Sequence, residues 1–492
     1  MDPKVRENME SVEKMAAADP QYRQMLLDMR AIEKRYNEVL ATLARDDQNA
    51  ICDFVSQYRS SSPLRLHMPG HKGVSVLGME GMDITEIDGA DSLFEATGII
   101  RKSEENASCL FGCETLFSTE GSSLCIRAML YLCMLYAKQQ GRVPLIVAAR
   151  NVHSTFIRAA AMLDFDIHWL YPDRTGSYLS CAVEPKTLDQ LLSRTAIKPI
   201  AVYLTSPDYL GNMADIERIS QVCHNHGVLL LVDNAHGAYL RFLSNSAHPI
   251  DLGADLCCDS AHKTLPVLTG GAYLHISNQA PQLFSHLAKQ AMAMFGSTSP
   301  SYLILQSLDH ANRYLSEAYT EKLVYFCRSV AAIKAELTSH GYCFMGNEPL
   351  KLTVDCKKYG YTGSDMAKLC MTKNVIPEFY DPDYLVFMLT PEIESGELEY
   401  FKDILMKIPP RAPLSLNAPI PKPTKALMTP RQAALAPCEL IPVTQSLGRI
   451  LATPSVGCPP AVPIVVCGEQ IDQTAIACFS YYGIESCWVT IP

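Results

Sequence analysis

Charge is scarce in this chain: Asp, Glu, Lys and Arg make up 19% of 492 residues, and tryptophan occurs twice. No stretch of about 18 uncharged apolar residues occurs, so a membrane-spanning helix is not expected. Basic residues are also outnumbered, 42 against 52 acidic ones, for a net charge of −10. That sign argues against a nucleic-acid or anionic-membrane partner. The opening Met1-Asp2-Pro3-Lys4-Val5-Arg6 leads into no apolar export segment, so a cytoplasmic location is expected. Eighteen cysteines are present, but Cys109/Cys113 and Cys467/Cys478 lack a second ligand pair at zinc spacing, and no metal site is expected. Cys125, Cys133, Cys257 and Cys258 sit in apolar runs and read as reduced core residues.

What is present is apolar: 48% of the chain, enough for large cores. Residues 1–50 carry 8 basic and 10 acidic side chains. Met25, Met29, Ile32, Tyr36, Val39 and Leu43 recur there at helical spacing, which predicts a helical N-terminal extension that either packs on the body or binds a partner. Farther on, Leu145–Ala148, Ile200–Leu204 and Val228–Val232 are continuous apolar runs, the mark of strands covered on both faces. Gly121–Gln140 and Asn212–His226 between them read as helices. The alternation predicts an α/β fold, a mostly parallel sheet with helices on both sides and a ligand beyond the strands' carboxyl ends. Fourteen of the 31 prolines fall after residue 408, indicating an extended linker and a small terminal domain.

Four segments beside those strands carry the chemistry. Gly121-Ser122-Ser123 opens a helix, where backbone N–H groups, hydroxyls and the helix dipole either cradle a phosphate or form a plain N-cap. Asp233 ends the most apolar strand; it either faces a protonated ring nitrogen or caps the next loop. Lys263 stands in apolar surroundings that lower an amine's pKa, so it either attacks a carbonyl or packs its stem and reaches solvent. His153 and His236, each alone, are ordinary loop residues. Together, a phosphate cradle, an acid for a ring nitrogen and a Schiff-base lysine are the parts that hold pyridoxal phosphate.

The segments Arg65-Leu66-His67-Met68-Pro69-Gly70-His71-Lys72-Gly73, Arg150-Asn151-Val152-His153-Ser154, Asp233-Asn234-Ala235-His236-Gly237 and Ser260-Ala261-His262-Lys263-Thr264-Leu265-Pro266 resemble the bacterial ornithine/lysine/arginine decarboxylases of the aspartate-aminotransferase fold, in their shorter form. Ser297-Thr298-Ser299-Pro300-Ser301-Tyr302, Gly448-Arg449 and Cys458-Pro459-Pro460-Ala461-Val462-Pro463 extend the likeness over roughly residues 51–492. The resemblance implies pyridoxal-phosphate fold type I, a three-layer αβα large domain with a small α+β domain behind it. Expected boundaries are 1–50 for the extension, 51–310 for the cofactor-binding domain, 311–408 for the small domain and 409–492 for the linker and terminal domain. It implies that Lys263 bonds the cofactor, Asp233 pairs with its ring nitrogen and His153 stacks on the ring. His236 would sit near the reacting groups as a polar or catalytic side chain. Gly121, Ser122, Ser123, Ser260 and His262 would hold the phosphate, joined by Thr298 and Ser299 from a second subunit, so that a homodimer shares its sites.

The implied reaction is α-decarboxylation of arginine, lysine or ornithine to an amine of the polyamine type. Glu378 is the expected carboxylate for the distal cation, unless it belongs to a solvated acidic loop. Glu120 stands where the family has a neutral residue before the glycine and puts a negative charge near the phosphate. His67, His71 and Lys72 either touch the site or shape their own loop. Two other classes stay open: an aminotransferase or lyase on the same fold, signalled by a carboxylate-facing Arg449 or Arg411, and a non-catalytic interaction protein.

Overall fold

The computed structural model describes residues 49–171, 177–317, 319–415, 417–453 and 461–491. The expected helix around Met25–Leu43 and the Cys458-Pro459-Pro460 segment lie outside them. A seven-stranded sheet is built from β1 (Glu114–Ser118), β2 (Leu145–Ala149), β3 (Asp166–Leu170), β4 (Ala201–Thr205), β5 (Leu229–Asp233), β6 (Leu256–Asp259) and β7 (Ala272–Ile276), in the order β1-β7-β6-β5-β4-β2-β3. β7 is antiparallel to both neighbours, and the other six strands share one direction.

The apolar runs fall where two-sided burial requires them. Leu229 and Leu231 pack on one face of the sheet with α1 (Ser122–Gln139) and α2 (Ser154–Leu163). Leu230 and Val232 pack on the other with Leu188 and with Ile216, Ile219 and Cys223 of α3 (Ile216–Asn225). Each such Leu or Val contributes about 1.5–3 kcal/mol on burial. The cysteines among the described residues form no disulfide; Cys125, Cys133, Cys257 and Cys258 are buried, whereas Cys438 is exposed.

A second, antiparallel sheet has the order β10-β11-β9-β8, from β8 (Phe344–Met345), β9 (Lys351–Asp355), β10 (Phe379–Tyr380) and β11 (Tyr384–Met388). The helix Tyr302–Glu317 runs unbroken through residue 310. One apolar core spans Ile51 and Val55, that helix and the second sheet. The last unit pairs β12 (Cys438–Pro442) with β13 (Ser486–Thr490) around its own small core. Its helix Pro430–Leu435 packs against α2. Among the described residues no helix is long and apolar enough to cross a membrane.

Candidate active site

A cavity of about 280 Å³ opens at the carboxyl ends of the large sheet's like-directed strands. The loop after β1 contributes Gly121, Ser122 and Ser123, and the loop after β2 contributes Asn151 and His153. Thr205, Pro207 and Tyr209 follow from β4, Asp233 and His236 from β5, and Ser260, His262 and Lys263 from β6. Segments from Gly121 to Lys263 converge because each strand ends at the same edge.

Gly121 is the N-cap of α1 at φ +69°, a left-handed conformation that suits glycine. Its N–H donates to the Gly270 carbonyl at 2.7 Å. Behind it the first turn of α1 presents N–H groups without intrahelical acceptors. Ser260 Oγ donates to Ser122 Oγ at 2.8 Å, and Ser123 Oγ lies 3.1 Å from Thr155 Oγ1. Glu120 is exposed and does not line the cavity; its carboxylate accepts from the Ser297 N–H at 2.5 Å. Thr298 and Ser299 beside it are exposed and also lie outside the cavity of their own chain.

Asp233 is 2% exposed. Its Oδ1 accepts from the Ala235 N–H at 3.2 Å and Cys258 Sγ at 3.7 Å, and its Oδ2 from Tyr203 Oη at 3.4 Å. Burial pushes this carboxyl up, against the pull of Lys263, so a positive group facing it would offset its desolvation. Burial likewise pushes the Lys263 amine down, opposed by Asp233 and Glu378. His153 caps α2 and accepts the Thr155 N–H on Nδ1 at 3.2 Å. Burial, then Lys263 and Arg158, lowers it to about 4, a neutral ring at pH 7. His262 turns Nδ1 to the Gly271 carbonyl at 2.9 Å, and burial lowers it too.

His236 is held well below its ordinary range by burial, then by Lys263 and Lys351. Its Nε2 lies 3.0 Å from Lys263 Nζ and its Nδ1 lies 2.7 Å from Lys351 Nζ. Lys351 escaped the sequence reading, since nothing near it in Pro349-Leu350-Lys351-Leu352-Thr353 announces a partner. Thr205 was within reach, standing directly after an apolar run. Thr205 Oγ1 and Asn151 Oδ1 are buried without a hydrogen-bond partner.

Glu378 is exposed and accepts from Tyr209 Oη at 3.3 Å. Two arginines that would have signalled an aminotransferase point elsewhere. Arg449 pairs with Glu439 at 2.7 Å and donates to the Thr490 carbonyl; Arg411 lies over the Tyr361 ring at 4.2 Å. His67, His71 and Lys72 do not line the cavity: His71 meets Asp83 at 3.2 Å and Lys72 donates to the His67 carbonyl. Behind β6, the fully buried Asp259 accepts on one oxygen from His248 at 3.1 Å and His275 at 3.0 Å, and on the other from Asn234 at 2.7 Å. These two imidazoles and the carboxylate bring ligand atoms within 4.8 Å of one another, but the contacts are those of donated hydrogen bonds.

Comparison with known proteins agrees with this picture. The family model described as Orn/Lys/Arg decarboxylase, major domain, matches residues 52–343, more than half of the chain. A Bacillus subtilis protein described as uncharacterized protein YaaO is 27% identical over 438 residues, covering 83% of this chain and 89% of that one. The arginine decarboxylase of Halalkalibacterium halodurans is 27% identical over 475 residues, 88% of this chain and 93% of its own. Among solved structures, the Francisella novicida lysine decarboxylase LdcF superposes with a TM-score of 0.74 at 15% identity, covering 91% of this chain and 82% of that chain. That likeness is one of fold.

Proposed function

The chain belongs to the Orn/Lys/Arg decarboxylase family, and from that premise we propose that it takes CO2 from the α-carbon of a basic amino acid, arginine ahead of lysine and ornithine. The observation that carries the reading is the meeting of the Lys263 amine, the buried Asp233 carboxylate and the serine-lined N-terminus of α1 on one cavity. Arginine comes first because long, near full-length relatives carry that activity in their names.

The cavity suits pyridoxal 5'-phosphate on the chemistry of its own atoms. Thr205 Oγ1 and Asn151 Oδ1 are buried polar atoms still lacking partners, and Asp233 is a desolvated carboxylate in need of a positive one. Lys263 would hold the cofactor, whose chemistry when bound would be that of an electron sink for the pair left when CO2 departs. Everything else falls to the chain. Gly121, Ser122, Ser123, Ser260 and His262 would hold the phosphate, with α1's first turn adding N–H donors. Asp233 keeps a proton on the ring nitrogen by charge. His153, neutral and fixed by Thr155, would stack on the ring. Lys263 gives its amine, and His236 stands ready to pass a proton to the substrate's α-carbon. Glu378 receives the distal cation.

Thr298 and Ser299, exposed in their own chain, fit a role in the cavity of a second copy, which makes a homodimer the working unit. A cytoplasmic enzyme making amines of the polyamine type fits the sequence. We assign residues 51–310 to the cofactor-binding unit, 311–408 to the smaller one and 409–492 to the linker and terminal unit.

The test pairs absorbance spectra of the purified protein and its Lys263→Ala variant with CO2 release from arginine, lysine and ornithine offered separately. A visible band that depends on Lys263, with CO2 from one of the three, is the expected result. A band without CO2 points to transamination or elimination, and no band removes the cofactor assignment.

A further inference from the structure

Two lysines close on one imidazole. Lys263 Nζ lies 3.0 Å from His236 Nε2, and Lys351 Nζ, brought from the second sheet at the first residue of β9, lies 2.7 Å from His236 Nδ1. His236 and Lys351 are 6% and 3% exposed, so no bulk water substitutes for these contacts. A neutral imidazole has one N–H and one lone pair: it accepts from one ammonium and donates to one neutral amine. An imidazolium has two N–H groups and no lone pair, so it faces two neutral amines. Neither form accommodates two charged lysines.

The surroundings decide which lysine carries the charge. Lys351 also donates to the Asp208 carbonyl at 3.2 Å. The buried carboxylates of Glu348 and Asp208 support its charge, as does Glu378, while Lys263 opposes it. Glu348, which receives the Tyr239 hydroxyl on one oxygen, keeps the other buried and without a hydrogen bond. The Tyr209 ring lies 6.0 Å from the same ammonium, close enough for a cation–π contribution. Burial lowers the Lys351 amine only to about 8, which leaves it charged at neutral pH. Lys263 has Asp233 and Glu378 for support, and the function proposed above commits both to cofactor and substrate.

We propose that Lys351 is a positioning residue: as the ammonium of the pair it donates to His236 Nδ1, fixes the ring as the Nε2–H tautomer and leaves Lys263 as the neutral, nucleophilic amine. The proposal rests on the decarboxylase reading for its purpose. When the Nε2–H bond breaks and its proton goes to the α-carbon that has lost CO2, an N–H bond of Lys351 breaks and a new one forms at Nδ1. The ring resets when Nε2, which faces the cavity, takes a proton from solvent: the Nδ1–H bond then breaks and its proton returns to Lys351.

The experiment uses the full-length chain freed of cofactor, as wild type, Lys351→Met and Lys351→Arg. The rate of pyridoxal phosphate capture is followed by absorbance from about pH 6 to about pH 10, because capture proceeds through neutral Lys263 and its midpoint reports that amine. Removing the neighbouring ammonium lets Lys263 become the charged partner, so the Lys351→Met midpoint should rise by about one unit. Lys351→Arg, which keeps a charged donor, should stay near wild type. A second readout is the 15N spectrum of histidine-labelled protein, with the His236 signals identified through His236→Gln. Wild type should show the Nε2–H tautomer and Lys351→Met should lose it. An unchanged midpoint in Lys351→Met, or an Nδ1–H tautomer in wild type, overturns the proposal; the wild-type spectrum decides even if Lys351→Met does not fold. A shifted midpoint in a protein that releases CO2 from no basic amino acid would keep the lysine pairing and remove the decarboxylase reading instead.

Discussion

Ser260 Oγ donates to Ser122 Oγ at 2.8 Å, tying the residue before the Lys263 turn to the first residue of α1 across 138 positions of chain. The two hydroxyls and the helix N-terminus thus form one preassembled wall, so little ordering is left for binding to supply. Each hydroxyl bonded to a phosphate oxygen is worth about 1.5–3 kcal/mol, as for hydrogen bonds to charged groups. Ser122→Ala or Ser260→Ala should therefore weaken cofactor affinity by about 10- to 100-fold, read by titrating the visible band. The double variant should cost less than the sum, because each single change already breaks the shared bond.

Glu378 tests substrate choice. Its exposure and its bond to Tyr209 Oη at 3.3 Å put a carboxylate at the mouth of the cavity that Tyr209 lines. A solvated ion pair gains little, about 0.2–1 kcal/mol, so Glu378→Gln should raise KM for the preferred amino acid by about 2- to 5-fold and leave kcat unchanged. Steady-state CO2 release on arginine, lysine and ornithine checks this; a kcat loss with unchanged KM would place Glu378 outside substrate recognition.

The large sheet was legible because its strands leave a one-dimensional trace. Leu229 and Leu231 must face one helical layer and Leu230 and Val232 the other, so every residue is apolar until Asp233. The rule that ligands meet strand ends then picked out Asp233, Lys263 and His153 without any pairing information. Contacts between elements leave no such trace. Lys351 reaches His236 over 115 residues, and its own neighbourhood reads as an ordinary strand. Glu120 looked like a charge beside the phosphate because its direction depends on Ser297, 177 residues away. The antiparallel sense of β7 likewise follows from the chain turning back beside β6 through residues 260–271, not from composition.

Asp259 couples the site to stability. Burial pushes its carboxyl up, but His248 and His275 more than offset this and hold it well below its ordinary 3.8. A depressed carboxyl contributes stability fully above its unfolded value and loses it as pH falls through the folded one. His275, raised above its ordinary 6.5 by Asp259 against its own desolvation, has the opposite sign: its contribution is full below the unfolded value and is lost as pH rises through the folded one. Asp259→Asn breaks a buried charged cluster and should cost about 3 kcal/mol or more. The stability gap to wild type should be widest between about pH 4 and about pH 6.5 and narrow on both sides, as measured by unfolding across pH. A gap independent of pH would mean that the cluster is neutral.

Arg150 and Glu469 join the terminal unit to the large sheet. Arg150 Nη2 meets Glu469 Oε2 at 3.0 Å, with side chains 10% and 4% exposed. The guanidinium also donates to the Pro463 and Ile464 carbonyls at 3.1 and 3.3 Å, and Glu469 accepts from the Val466 N–H at 2.8 Å. This knot fixes the segment that brings Ala461 and Val462 to the cavity wall. Removing one partner strands a buried charge, at a cost of about 3–5 kcal/mol. Glu469→Ala should thus loosen the unit locally: cleavage by a protease in the proline-rich stretch 409–425 should speed up and cofactor should dissociate faster, while the large sheet keeps its unfolding temperature. Replacing both partners, Arg150→Met with Glu469→Leu, removes the stranded charge and should recover part of the loss. Cofactor retention equal to wild type in Glu469→Ala, despite faster cleavage, would show that the terminal unit closes over the cavity without holding its contents.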